Sequence, residues 1–231
     1  MHLILFSGGA AKGLVDAMLP AFTASTGCVL RATFSAVGAM QQKLLAGEPC
    51  DLAILTNALI DALARDGHVV PDTVAALGAV PTGVAVRKGD ARPDVEDGDA
   101  LRRSLLAASG IYVPDTERST AGIHVMKVLR LLGIDAAVAS RMRVHPNGAT
   151  AMRELSRTNE PRPIGITQLS EIIATPAVDL AGLLPQGFEL ATVYAGAVCT
   201  HAQEPKLARR LVHLLASSDA AAARAAAGFQ E

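Results

Sequence analysis

Short apolar runs alternate with stretches whose apolar residues recur at helical spacing along most of this chain. Leu3 to Phe6 is the first such run, and a helical pattern follows from about Lys12 to Thr26. Cys28 to Phe34 reads as a second strand, followed by a helix from about Gly38 to Ala46 that stops at Gly47. Cys50 to Thr56 is a third strand, and Ala58 to Gly67 a short helix closed by its glycine. Strands alternating with helices in this rhythm predict a parallel, doubly wound sheet.

The rhythm breaks at Ala79 to Arg87, a longer extended stretch that contains Pro81. A charged, turn-rich segment, Lys88 to Asp99, comes next. A second series then begins: a strand at Gly110 to Asp115, a helix from about Ala121 to Leu132, a strand at Ser140 to His145 and a helix from about Ala149 to Arg157. Arg162 to Ile172 reads as a short strand running into a polar turn. Phe188 to Thr200 is a second long extended stretch, and a helical region from about Glu204 to Ala227 closes the chain. Two long extended stretches on either side of one βα series predict an α/β protein of two doubly wound lobes joined by two crossings. The first lobe takes residues 1–80 plus 196–231, and the second 81–195.

Composition narrows the chemistry. Half of the 231 residues are hydrophobic, 3% are aromatic and there is no Trp, as expected of layers packed through aliphatic side chains. A net charge of −1 gives no global field toward nucleic acid. No apolar run approaches the ~20 residues of a membrane helix, so direct membrane insertion is not expected. Met1 leads into the first strand without a basic leader, which implies a cytoplasmic protein as written, or a periplasmic one if a leader has been removed. The three cysteines have no CxxC spacing and the six histidines no ligand spacing, so no metal and no cofactor are expected. GxSxG and HExxH are absent.

What repeats is a type of turn. "FSGGAAKGL" opens a helix through Ser7, Gly8, Gly9 and Ala10, with Lys12 nearby. It lacks the GxxxxGK[ST] order of a phosphate loop and the GxGxxG of a dinucleotide turn. "TFSAVGAM" repeats the design through Ser35, Ala36, Val37 and Gly38. "VPDTERSTAGI" does so through Arg118, Ser119, Thr120 and Ala121, and "VHPNGATAM" through Asn147 and Gly148. A helix start offers unsatisfied N–H groups and the positive end of a dipole, which together favour an anion. Ligands of open α/β sheets bind beyond the carboxyl ends of the strands. Four such turns, two in each lobe, predict a small anion held in a shared cleft.

Three segments resemble one family. "KLLAGEPCDLAIL", "STAGIHVMKVLRLLG" and the closing "EPKLARRLVHLLASSDAAAARAAAGF" are similar to the molybdate-binding proteins of ABC importers, which have the type II periplasmic-binding-protein fold. The resemblance covers nearly the whole chain. It implies a substrate-binding protein that closes by hinge motion on its ligand and has importer membrane subunits as partners. The family's oxyanion-binding hydroxyls fall here on Ala10 and on Ala36, Val37 and Gly38, and its late tyrosine on Gln168. Gln168 suits a carboxylate or a polar carbonyl. Together with Gly8-Gly9, it makes the chain more similar to a branch that includes aconitate isomerase.

The resemblance therefore leaves open a receptor for a small carboxylate or molybdate-like oxyanion, and an isomerase or tautomerase of a small unsaturated polycarboxylate. A cytoplasmic ligand sensor is a third reading. For double-bond migration by proton transfer, Lys12, Glu117 and His145 are the candidate bases, and Arg118 a candidate carboxylate clamp.

Overall fold

A computed structural model describes residues 2–230; Met1 and Glu231 lie outside the described residues. The chain divides into two compact units, Met1–Val80 with Val193–Glu231, and Pro81–Thr192.

Unit 1 begins with β1 (His2–Gly8), α1 (Lys12–Thr26), β2 (Val29–Ser35), α2 (Val37–Leu45), β3 (Leu52–Thr56) and α3 (Asn57–Arg65). The next strand, β4 (Ala75–Arg87), starts in unit 1 and runs into unit 2. Unit 2 continues with α4 (Gly98–Ala107), β5 (Ile111–Pro114), α5 (Thr120–Leu131), α6 (Asp135–Val138), β6 (Met142–His145), α7 (Gly148–Arg157), β7 (Ile164–Gln168), α8 (Leu169–Ile173) and β8 (Val178–Leu183). The return strand is β9 (Ala191–Val198), and α9 (Pro205–Ala216) and α10 (Ala221–Ala226) complete unit 1.

In unit 1, β1 lies between β2 and β3 and is parallel to both, and β9 pairs antiparallel with β3. Every residue of β3 is buried, which explains its unbroken apolar run: a central strand covered on both faces has no polar side to show. β2 is largely exposed. α9 buries Ala208, Leu211, Val212 and Leu215, a helical stripe, and packs on α1, which buries Leu14, Val15 and Phe22.

A buried carboxylate ties unit 1 together. Asp51 is 2% exposed, and its Oδ2 accepts from the Ile4 amide at 2.7 Å. Its Oδ1 accepts from the amides of Gln203 at 2.7 Å and Glu204 at 3.0 Å. Asparagine cannot replace it cleanly, because its NH₂ must confront one of these donors. Asp51→Asn is expected to cost about 2 kcal/mol, and so to lower Tm by about 5 °C in a thermal melt.

In unit 2, β5 is parallel to β6 and β7, while β4 runs antiparallel to β7 and β8. Strand alternation sorts the core. Val84, Ile111, Val113 and Ile166 face a cluster with Leu101, Leu105, Val125 and Leu129. Ala85 and Tyr112 face a second cluster with Ala151, Met152, Leu155 and Ile172.

Three elements depart from the sequence reading. The charged segment expected to be turn as far as Asp99 ends earlier, because Asp97 caps α4 by accepting from the Ala100 amide at 2.7 Å. The polar turn after Gln168 is the helix α8. Residues 178–183, given no element from the sequence, form the sheet-edge strand β8 on β4. Its burial pattern has little alternation, so periodicity had little to detect.

Candidate functional site

The carboxyl ends of β1 and β2 lie side by side, because Gly8 registers with Ser35 in a parallel pair. A 3-10 turn, Gly9–Ala11, carries the chain from β1 into α1, and Ala36 carries it from β2 into α2. No side chain caps the 3-10 turn, α1 or α2. Their leading amides therefore open from one edge of the sheet, and small residues leave them unshielded. α3, on the neighbouring strand, is different: the Thr56 hydroxyl caps it by accepting from the Leu59 amide.

The side chains expected here play smaller parts. Ser7 is fully buried and donates its hydroxyl hydrogen to the Gly8 carbonyl at 2.9 Å. Ala10, Ala36 and Val37 are buried, while Gly9, Ser35 and Gly38 are partly exposed. Lys12 is ion-paired with Asp16, and its ammonium lies 5.6 Å from the centre of the Phe34 ring. Its charge is thus balanced locally.

The ends of β5, β6 and β7 form an edge of the sheet in unit 2. After β5, Asp115 organises the turn. Its Oδ1 accepts from the amides of Glu117 at 2.9 Å and Arg118 at 2.8 Å, and its Oδ2 accepts from Arg118 Nε at 2.8 Å. Burial pushes the Asp115 carboxyl up, but the hydrogen bonds from the Arg118 guanidinium and the two amides outweigh it and hold the group below the usual carboxylate range. The bidentate clamp considered for Arg118 is thus made to its own chain, through Nε and Nη2. Glu117 is exposed on the same turn.

Ser119 occupies the N-cap position of α5 without capping it, so the amides that open this helix, from Thr120 and Ala121, have no side-chain acceptor. Gly122 lets α5 approach the turn. A methyl at that position would overlap the Asp115 carbonyl oxygen and lie 2.6 Å from the Pro114 carbonyl oxygen.

The fourth turn is built differently. Asn147 Oδ1 accepts from the Thr150 amide at 2.8 Å, and the Gly148 and Ala149 amides both donate to the carboxyl of Glu171. Glu171 is buried on α8 and also accepts from the Thr167 hydroxyl at 2.5 Å and from the Gln168 amide. Gly148 has no side chain because Glu171 and Thr167 fill the space that a Cβ would need. At this turn, where Asn147 and Gly148 are expected to meet a ligand, the carboxyl of Glu171 lies against the start of α7. Only the helical "QLSE" spacing hinted at Glu171, and nothing local told which helix start it reaches.

Gln168, the last residue of β7, is 3% exposed. Its Nε2 donates to the Thr192 hydroxyl at 3.0 Å, while its Oε1 is buried without a hydrogen-bond partner. The hydroxyl of Thr82, its register partner on β4, is likewise buried and unpartnered. His145, at the end of β6, stacks flat on Tyr112 with 5.8 Å between ring centres. Burial pulls its imidazole below the ordinary value, so it is neutral at pH 7. Asp115, Glu171, Thr82 and Thr192 were missed in the sequence: the partners of Glu171, Thr82 and Thr192 include residues from other elements that the fold brings close, while Asp115 acts on its own turn, through Glu117 and Arg118.

Among the described residues, no group of three or more His, Cys, Asp or Glu side chains is placed to hold a metal ion. No helix there is long and apolar enough to cross a membrane.

The fold has counterparts among solved structures. The periplasmic molybdate-binding protein of Azotobacter vinelandii superposes with a TM-score of 0.82 at 16% identity, covering 99% of each chain. The sulfate-binding protein SubI of Mycobacterium tuberculosis superposes with a TM-score of 0.78 at 18% identity, covering 99% of this chain and 86% of that one. At these identities the likeness is one of fold, that of the type II periplasmic binding proteins. In sequence, the chain is 30% identical over 230 residues to an aconitate isomerase from a Pseudomonas species, covering 96% of this chain and 84% of that one. A family model described as bacterial extracellular solute-binding protein matches residues 3–230, and with nearly every residue inside that match the chain belongs to this family.

Proposed function

We propose that the protein binds a small anion, as the solute-recognition component of a membrane importer, through uncapped helix starts, those of α1 and α2 in unit 1 and that of α5 in unit 2. The observation that carries this reading is a shared turn design: the helices that follow the glycine- and serine-bearing turns of β1, β2 and β5 open without a side-chain acceptor, whereas α3, on the next strand of unit 1, is capped by Thr56. α6, α8, α9 and α10 likewise lack a side-chain cap, so it is the open amides together with the composition of these turns that mark the site. A helix start left open over small residues holds negative charge through amide hydrogens. The cations near these turns are already engaged, Lys12 by Asp16 and Arg118 by Asp115. Such a site selects an anion by hydrogen-bond geometry. Structural neighbours that bind molybdate and sulfate support the class of ligand.

Titration calorimetry with molybdate, tungstate, sulfate, citrate and both aconitates tests the reading. At least one is expected to bind with a micromolar or lower Kd (a binding free energy beyond about −8 kcal/mol), with 1:1 stoichiometry. Failure of all six sinks it.

The aconitate isomerase relative favours a second reading, in which the bound anion is an unsaturated polycarboxylate and a proton is moved along it. Of the three candidate bases, Lys12 is held in an ion pair, Glu117 is exposed, and His145 is neutral with a buried Nε2 that has no partner. His145 thus suits proton acceptance best. Incubation of each aconitate in heavy water reads the outcome directly: deuterium uptake with interconversion supports an isomerase, and its absence in the presence of binding supports a receptor.

A further inference from the structure

Unit 1 is assembled from two stretches of chain far apart in sequence, and they meet where β3 pairs with β9. Beyond the paired strands, the Cys199 amide donates to the Asp51 carbonyl at 2.9 Å. This brings two cysteines together, Cys50 just before β3 and Cys199 just after β9. Both are buried and line the same pocket. The surrounding backbone is firmly held. The carboxylate of Asp51, next to Cys50, accepts three amides, two of them from the loop that follows Cys199. The Cys50 Sγ also donates to the Leu52 carbonyl at 3.1 Å. A pocket of about 250 Å³ is lined by both cysteines and opens beside His68, His201 and Gln203. Cys28, the third cysteine, is buried and does not line it.

We propose that Cys50 and Cys199 form a disulfide that fastens the C-terminal stretch of unit 1 to its N-terminal stretch. The oxidant is a low-molecular-weight disulfide or the disulfide of an oxidoreductase. One cysteine, as thiolate, attacks the oxidant disulfide, forming a mixed disulfide and expelling one thiol. The second cysteine attacks the protein sulfur of that mixed disulfide, forms the Cys50–Cys199 bond and expels the second thiol. Two protein thiols lose two hydrogens and two electrons in total, and the oxidant disulfide is reduced to two thiols. The bond closes a loop of about 150 residues, so it restricts the unfolded chain strongly. The neighbouring Cys50 and then burial push the Cys199 thiol up, so its attack as thiolate is slow in the folded protein.

The test refolds the full chain from denaturant in a mixture of oxidised and reduced glutathione, which removes the barrier of burial. The expected product is two hydrogens lighter, has one titratable thiol in place of three, and yields a Cys50–Cys199 linked peptide on digestion. Its Tm lies about 10 °C above that of the same sample with dithiothreitol. Cys199→Ser abolishes the shift and Cys28→Ser keeps it. A product with three free thiols, or glutathione adducts at Cys50 or Cys199 in place of the linked peptide, overturns the proposal. A second measurement needs no refolding: the full chain is expressed in a reducing cytosol and, behind an export leader, in an oxidising compartment. The linked peptide is expected only in the second, and its absence there overturns the proposal equally.

Discussion

Replacing Glu171 with alanine lowers stability by about 4 kcal/mol and Tm by roughly 10 °C. The carboxyl is buried and accepts from the Thr167 hydroxyl and from the amides of Gly148, Ala149 and Gln168. Without it, four donors face a cavity with no acceptor. Glutamine keeps the shape and one carbonyl oxygen, so Glu171→Gln is the milder change, and it also isolates the charge. Burial pushes the Glu171 carboxyl above its ordinary value, although the four hydrogen bonds pull the other way. The folded state therefore holds this proton more tightly than the unfolded chain does. The stability it contributes is fully present below the unfolded value of about 4.3 and is lost as pH rises through the folded value. The stability of the wild type minus that of Glu171→Gln is thus expected to fall as pH is raised from 4.3, as measured by urea unfolding at each pH. A flat or rising difference removes this account of Glu171.

Gly122→Ala is expected to cost about 3 kcal/mol, at the upper end for overpacking, and to weaken anion binding at least tenfold. The added methyl collides with the carbonyl oxygens of Asp115 and Pro114. Both are backbone atoms, and neither can turn aside as a side chain can. Relief requires α5 to move away from the end of β5, which carries the amides of Thr120 and Ala121 with it. Gly13→Ala is the control. There the methyl would lie 3.6 Å from the Ala227 Cβ, in ordinary contact, inside helix α1. It is expected to stabilise the protein by about 0.5 kcal/mol through helix propensity. Thermal melts separate the two variants, and calorimetry on Gly122→Ala reads its binding; an affinity equal to that of the wild type would show that the start of α5 does not touch the ligand.

The two substitutions mark different depths of legibility. The glycine in "STAGI" is visible as part of a helix-opening turn, and the structure adds only which carbonyls it makes room for. Glu171 reads in sequence as a polar residue beside Gln168, and its partner helix begins more than twenty residues earlier. That pairing exists only because β6 and β7 flank β5, which sets α7 and α8 on one face. Arg118 is a different case, since its partner is local. Its charge suggested a ligand clamp, but Asp115, three residues away, captures it.

By itself the sequence determined the α/β class and the places where strands hand over to helices. Those features are encoded locally, in apolar period, small residues and helix stops, and neighbouring residues suffice to read them. The tertiary structure alone decided which helix starts stay open, that Glu171 closes the one at Gly148, and that Cys50 meets Cys199. Each depends on partners supplied by strand order and register, which bring together residues that no local pattern connects.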